Sequence, residues 1–70
     1  MTARTALASS LLASMRYSPQ ATLDLAFRTG ATYRYFTVPR CVAEGLATAA
    51  SKGAYFNRHI KNRFPYQRLG

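Results

Sequence analysis

The chain has one cysteine, one histidine and two acidic residues among its 70, and each scarcity closes off a kind of chemistry. With Cys41 alone, an intramolecular disulfide is impossible and a cysteine-rich zinc site is excluded; a lone thiol fits a reducing cytoplasm, which is the expected compartment. Asp24 and Glu44 are the only carboxylates, so there is no clustered acid pair for general acid-base work and no ligand set for a metal. A nucleophile would have to be Cys41 and a base His59, eighteen positions apart, with no glycine-rich loop to hold a phosphate. No catalytic residue is assigned, no cofactor is implied, and the chain is read as a non-enzyme. No stretch approaches the roughly 20 apolar residues of a membrane span, and no internal repeat or low-complexity segment is present.

What is abundant is positive charge. Ten lysines and arginines against two acids give a net charge of +8, while 49% of the residues are hydrophobic, enough for a core. A chain this short makes one domain at most. Arg4 and the Ala/Leu/Ser run after it resemble a signal or transit peptide, but Ser9, Ser10, Ser14 and Arg16 interrupt the run. Residues 1–8 are read as a short extension and 9–70 as the domain.

From Leu11 to Tyr17, apolar Leu11, Ala13, Met15 and Tyr17 alternate with Leu12, Ser14 and Arg16, the period of a half-buried strand. Ser18-Pro19-Gln20 is turn chemistry, and the next strand sets Leu23, Leu25 and Phe27 on one face. Thr29-Gly30 makes a second hairpin turn, and Thr32 to Thr37 forms a third, aromatic strand. Pro39 opens a helix to about Ala50, with Val42, Leu46 and Ala49 inward and Gly45 allowing a close approach. Ser51 caps a second helix from Lys52 to Lys61 whose buried stripe is Phe56 and Ile60. Asn62 and Pro65 end it, and Phe64 to Leu69 folds back as a tail. The fold expected is α+β: a three-stranded antiparallel meander followed by two short helices on one face.

These residues resemble a known family. Tyr33-Arg34-Tyr35 forms a YxY pair, Val38-Pro39 leads into a helix, Ser51-Lys52-Gly53 introduces Tyr55-Phe56-Asn57-Arg58-His59-Ile60, and Tyr66-Gln67-Arg68-Leu69 follows. YxY is weak alone, but the SKGxYFNRHI string behind it is specific. From Ser9 to Leu69 the chain is similar to the KTSC domain, a module named after its occurrence at the C-terminus of some lysyl-tRNA synthetases. The resemblance implies an RNA-binding module without an assigned biochemical activity, occurring alone in small bacterial and phage-like proteins or appended to larger ones. Pro19-Gln20-Ala21 replaces a more acidic turn, and Cys41 and Gly45 depart from the pattern in the first helix.

The tyrosine pair raises a question of parity. If Tyr33 and Tyr35 pointed outward, Arg34 would carry its charge into the core. Arg34 therefore faces out, beside Asp24 and Arg16, and the tyrosines are read as structural core walls; the alternative is an outward platform for stacked bases. Phe36 shares the Arg34 face and is a candidate for stacking.

Up to Ser51 five arginines meet both acids, whereas Lys52 to Gly70 holds Lys52, Arg58, Lys61, Arg63 and Arg68 and no acid. Uncompensated cations interleaved with amide and aromatic groups suit a phosphate backbone, although a charged helix face is also a plain solvated surface. The expected partner is RNA or another polyanion, met by Lys52, Asn57, Arg58, Lys61, Arg63 and Arg68, with Tyr66 or Phe36 stacking. The alternative is a module that docks on a protein of a larger assembly, through sheet edges and exposed aromatics.

Overall fold

The computed structural model describes residues 5–7 and 9–70. The elements in chain order are β1 (Thr5–Ala6), β2 (Leu12–Tyr17), β3 (Leu23–Phe27), β4 (Thr32–Tyr35), α1 (Arg40–Thr48), α2 (Lys52–His59) and β5 (Tyr66–Arg68). The strands form one antiparallel sheet in the order β1-β2-β3-β4-β5. The α+β class and the two helices are as expected, but among the described residues the sheet has five strands rather than three. The reason lies in length: β1 and β5 are two and three residues long, too short to show a period of two. The tail is the fifth strand, and Thr5–Ala6, within the stretch read as an extension, belongs to the sheet with buried Leu7 behind it. Residues 1–4 and 8 of that stretch lie outside the described residues.

Two hairpin loops of one geometry set the register of the central strands. In the β3–β4 loop Phe27 N–H donates to the Ala31 carbonyl (2.8 Å) and Gly30 N–H to the Phe27 carbonyl (2.9 Å), with Gly30 at φ 99°. The β2–β3 loop repeats this with Ser18 N–H to the Thr22 carbonyl (2.9 Å) and Ala21 N–H to the Ser18 carbonyl (3.1 Å), but places Ala21 at φ 61° where its counterpart has glycine. A three-residue hairpin needs a left-handed residue at that position, which glycine adopts without steric cost. Ala21 is held there by a tertiary bond: its carbonyl accepts the Val38 N–H at 2.8 Å, tying the β4–α1 connection to the turn. The Tyr17 hydroxyl donates to the Val38 carbonyl at 2.6 Å and completes the clasp.

The first strand corrects the sequence reading. Leu12 pairs with Phe27 and Ser14 with Ala26, so Ala13 is an extra residue and the strand bulges. A bulge inverts parity, and so Leu12, not Ala13, shares the buried face with Met15 and Tyr17. Leu12 is fully buried and Leu11 packs only at the edge of the core.

Both helices cover the face that carries Leu12, Leu23, Leu25 and Tyr35, and contribute Ala43, Leu46, Phe56 and Ile60 to the same core. Pro39 is the N-cap of α1 and the Ser51 hydroxyl accepts from Ala54 N–H (3.3 Å) at the start of α2. The helices touch where Gly45 leaves room: the Tyr55 hydroxyl reaches past it to donate to the Val42 carbonyl at 3.0 Å. α2 ends at His59 with Ile60 as its C-cap, and in the turn that follows Asn62 takes φ 61°, a conformation asparagine tolerates better than most residues. That turn sends the chain back across the sheet edge as β5.

Candidate nucleic-acid interface

Cross-strand register distributes the cations between the two sheet faces. On the face away from the helices, Arg16, Asp24 and Arg34 lie in one row. Arg34 forks onto the carboxylate, Nε to Oδ1 at 2.9 Å and Nη2 to Oδ2 at 3.1 Å, and covers Asp24, which is only 7% exposed. The hydrogen bonds, and then the Asp24 charge, hold the Arg34 proton more tightly than usual. The cation of the tyrosine motif is thus answered within the fold.

With Arg34 outward, Tyr33 and Tyr35 face the helix side opposite Leu25 and Leu23. Tyr35 is buried, its ring edge-on to Phe56 at 6.0 Å, while Tyr33 is half-buried against Phe27 at 5.7 Å. β5 then adds Tyr66 opposite Tyr35 and Arg68 opposite Tyr33. The Tyr66 ring lies 5.6 Å from both motif tyrosines and the Arg68 guanidinium is 5.9 Å from the centre of the Tyr33 ring. Burial, with Tyr33 and Tyr66 alongside, pushes the Tyr35 phenol up to about 12.

These rings do not fill the space between the sheet edge and the end of α2. An aromatic cleft of about 300 Å³ remains, walled by Phe27, Phe56 and the three tyrosines, with Lys61 and Asn62 from the end of α2 on its rim. Neither carboxylate lines it.

The residues singled out from sequence therefore separate. Lys61 and Tyr66 meet at the cleft and Arg68 lies on its Tyr33 wall. Asn57, Arg58 and Arg63 are exposed on α2 and just beyond it, Arg58 beside His59 at a groove between the helices, where the His59 ring packs 4.5 Å from Tyr55. Lys52 is spent elsewhere: its Nζ donates to the Ala49 carbonyl at 2.7 Å, stabilising the negative end of α1. Phe36 is half-buried rather than exposed and is not a wall of the cleft; its N–H donates to the Pro65 carbonyl at 2.9 Å. Phe27, Phe56 and Asn62 were read only as core or helix end. The signal that could have joined them is the two-residue spacing of Tyr66 and Arg68, which matches Tyr33 and Tyr35 once β5 is a strand.

Fold and cleft together define a small α+β domain with one basic, aromatic-lined surface. The KTSC domain family matches residues 8–64, and the chain belongs to that family. A KTSC domain protein from Yersinia pestis, solved by crystallography, superposes with a TM-score of 0.95 at 32% identity over 100% of both chains. Lysine–tRNA ligase from Nostoc sp. is 46% identical over 61 residues, 86% of this chain and 11% of the ligase. An uncharacterised protein from Stutzerimonas stutzeri is 43% identical over 68 residues, 94% of this chain and 96% of that protein. The chain thus spans about a ninth of the ligase and nearly the whole of the Stutzerimonas protein. Among the described residues no helix is long and apolar enough to cross a membrane.

Proposed function

We propose that the protein is a non-catalytic accessory module that binds RNA with little sequence preference through α2 and the C-terminal segment. The observation that carries this reading is the position of Lys61 and Arg68 beside an aromatic cleft in a stretch without acids, while Asp24 is consumed by Arg34 on the opposite face. Arg58 and Arg63 extend the positive surface beyond the cleft. Cations without local carboxylates supply phosphate contacts, and aromatic rings supply sequence-tolerant stacking. The kinship with lysine–tRNA ligases, whose name places them at a tRNA, favours RNA among polyanions.

Titrating labelled single-stranded RNA and DNA at several salt concentrations tests it. Affinity should fall steeply with salt, and replacing both Arg58 and Lys61 with alanine should lower the log-log slope by about 1.4, at about 0.7 per single-strand phosphate contact. Failure to bind any nucleic acid at low salt would overturn the proposal. The competing reading, a docking module of a larger bacterial or phage assembly, draws on the open edge of β5 and the exposure of Tyr66 and Leu69. Co-purification of a stable protein partner from the native host would favour it.

A further inference from the structure

The cleft has features that phosphate contact alone does not require. Tyr66 is 56% exposed, yet two rings beneath hold it in place, so an aromatic face is presented to solvent in a fixed position. At about 300 Å³ the space is at the small end of ligand pockets, which run from about 300 to 1,000 Å³. That admits one nucleotide and excludes a run of stacked bases. Asn62 brings an amide, donor and acceptor together, to the rim beside Lys61. Arg68 lies over Tyr33 with its Nε donating to the Gly70 carbonyl at 3.2 Å, which leaves the other guanidinium nitrogens for a phosphate.

We propose that this cleft is a pocket for a single unstacked nucleotide, with the base against Tyr66 and Tyr33, its edge on the Asn62 amide, and the flanking phosphates on Lys61 and Arg68. The inference rests on the RNA reading and deepens it by naming what the cleft takes. An apolar peptide side chain would use the rings but leave the two cations without a purpose; a phosphate alone would use the cations but not the rings. The pocket selects single strands, loops and ends over duplex, because a paired base must first be unstacked and flipped to enter.

The test uses the full chain with Tyr66→Ala and Tyr66→Phe, titrated with a single-stranded RNA oligomer, the matching duplex and inorganic polyphosphate of equal charge. Tyr66→Ala should weaken single-strand binding about 5- to 150-fold, the range for one stacked base, at an unchanged salt slope. Tyr66→Phe, which keeps the ring, should recover most of the binding that alanine loses, and polyphosphate should bind all three equally. In the unsubstituted protein, adenosine monophosphate should shift the ring resonances of Tyr33 and Tyr66 but not Tyr17, and inorganic phosphate should leave them unmoved. This separates a free nucleotide from one carried in a strand, and requires no variant to fold. If Tyr66→Ala binds RNA as tightly as the parent, the pocket is wrong while the RNA reading stands. Equal weakening of polyphosphate would reduce the site to a phosphate contact and also overturn the pocket. If nothing binds at low salt, both fail, and the docking module is left.

Discussion

The two faces of the sheet handle the same kind of residue in opposite ways. On the open face Arg34 sits in register with Asp24 and is neutralised by a two-pronged ion pair. On the helix side Arg68 is in register with Tyr33 and meets that ring and, through its Nε, the Gly70 carbonyl at 3.2 Å, instead of a side-chain carboxylate. One arginine is neutralised by a carboxylate, and the other, among the described residues, is bonded to a carbonyl and a ring with its charge unanswered. What separates them is the cross-strand neighbour, since both are on strands and both belong to a strongly basic chain. A count of surface cations would treat the two faces alike; the register divides them.

The largest way to break the contrast is to unseat the helix side. A β-carbon at Gly45 would fall 2.1 Å from the Tyr55 hydroxyl and 2.6 Å from the ring carbon that bears it. The ring would have to leave its bond to Val42, so Gly45→Ala should cost about 3 kcal/mol, at the upper end of typical overpacking. Urea denaturation would show it as a lower midpoint with the slope retained. A substitution that left the midpoint in place would mean that the helices are free to part at this point.

Alkaline pH acts on the same side through Tyr35. The unfolded phenol titrates near 10 and the folded one near about 12, so the proton is held more tightly in the folded state. Stability should be flat below about pH 10 and fall by roughly 2 kcal/mol as the pH rises from there to about 12. Tyrosinate absorbance in the same experiment should include a phenol that ionises at about 12 in the folded protein. Loss of stability that is complete by pH 10 would contradict this.

A smaller effect is expected on the open face. Asp24→Asn keeps the shape but leaves Arg34 without a carboxylate, and should lower the melting temperature by several degrees. It should also leave Arg34 unneutralised on the surface beside Arg16, so that low-salt RNA affinity rises without any change at Tyr66. An unchanged affinity would show that the polyanion meets the helix side alone.

Much of the architecture was legible because local rules and the tertiary structure agree. The hairpin chemistry at Ser18 and Gly30, the cap at Ser51, the start of a helix at Pro39, which stands as N-cap one position before the first turn expected of it, and the outward placement of Arg34 are each a local decision about backbone conformation or charge burial. The close approach at Gly45 was also visible, although Tyr55 as its occupant was not. Three other features were hidden. The bulge at Ala13 inverted the faces of β2 before Ser14, leaving Met15 and Tyr17 inward as expected, and an alternation of residues does not reveal where an extra one is left unpaired. β5 is too short to have a periodic signal, and without it Tyr66 and Arg68 are just a tail. Lys52 read as a free cation, because its partner is a carbonyl at the end of the preceding helix.

By itself, then, the sequence determined the composition of the surface and the hairpin and helix boundaries, because charge, turn residues and caps act within a few positions along the chain. Only the tertiary structure decided which cations remain available and that the aromatics form a cleft. Those outcomes depend on pairing between β4 and β5, more than thirty residues apart at Tyr33 and Arg68, and on the end of α2 closing over that pair. Register across such a distance is settled by the packed core, where a shift of one residue would turn Tyr66 and Arg68 away from the helix side to the face that carries Arg34.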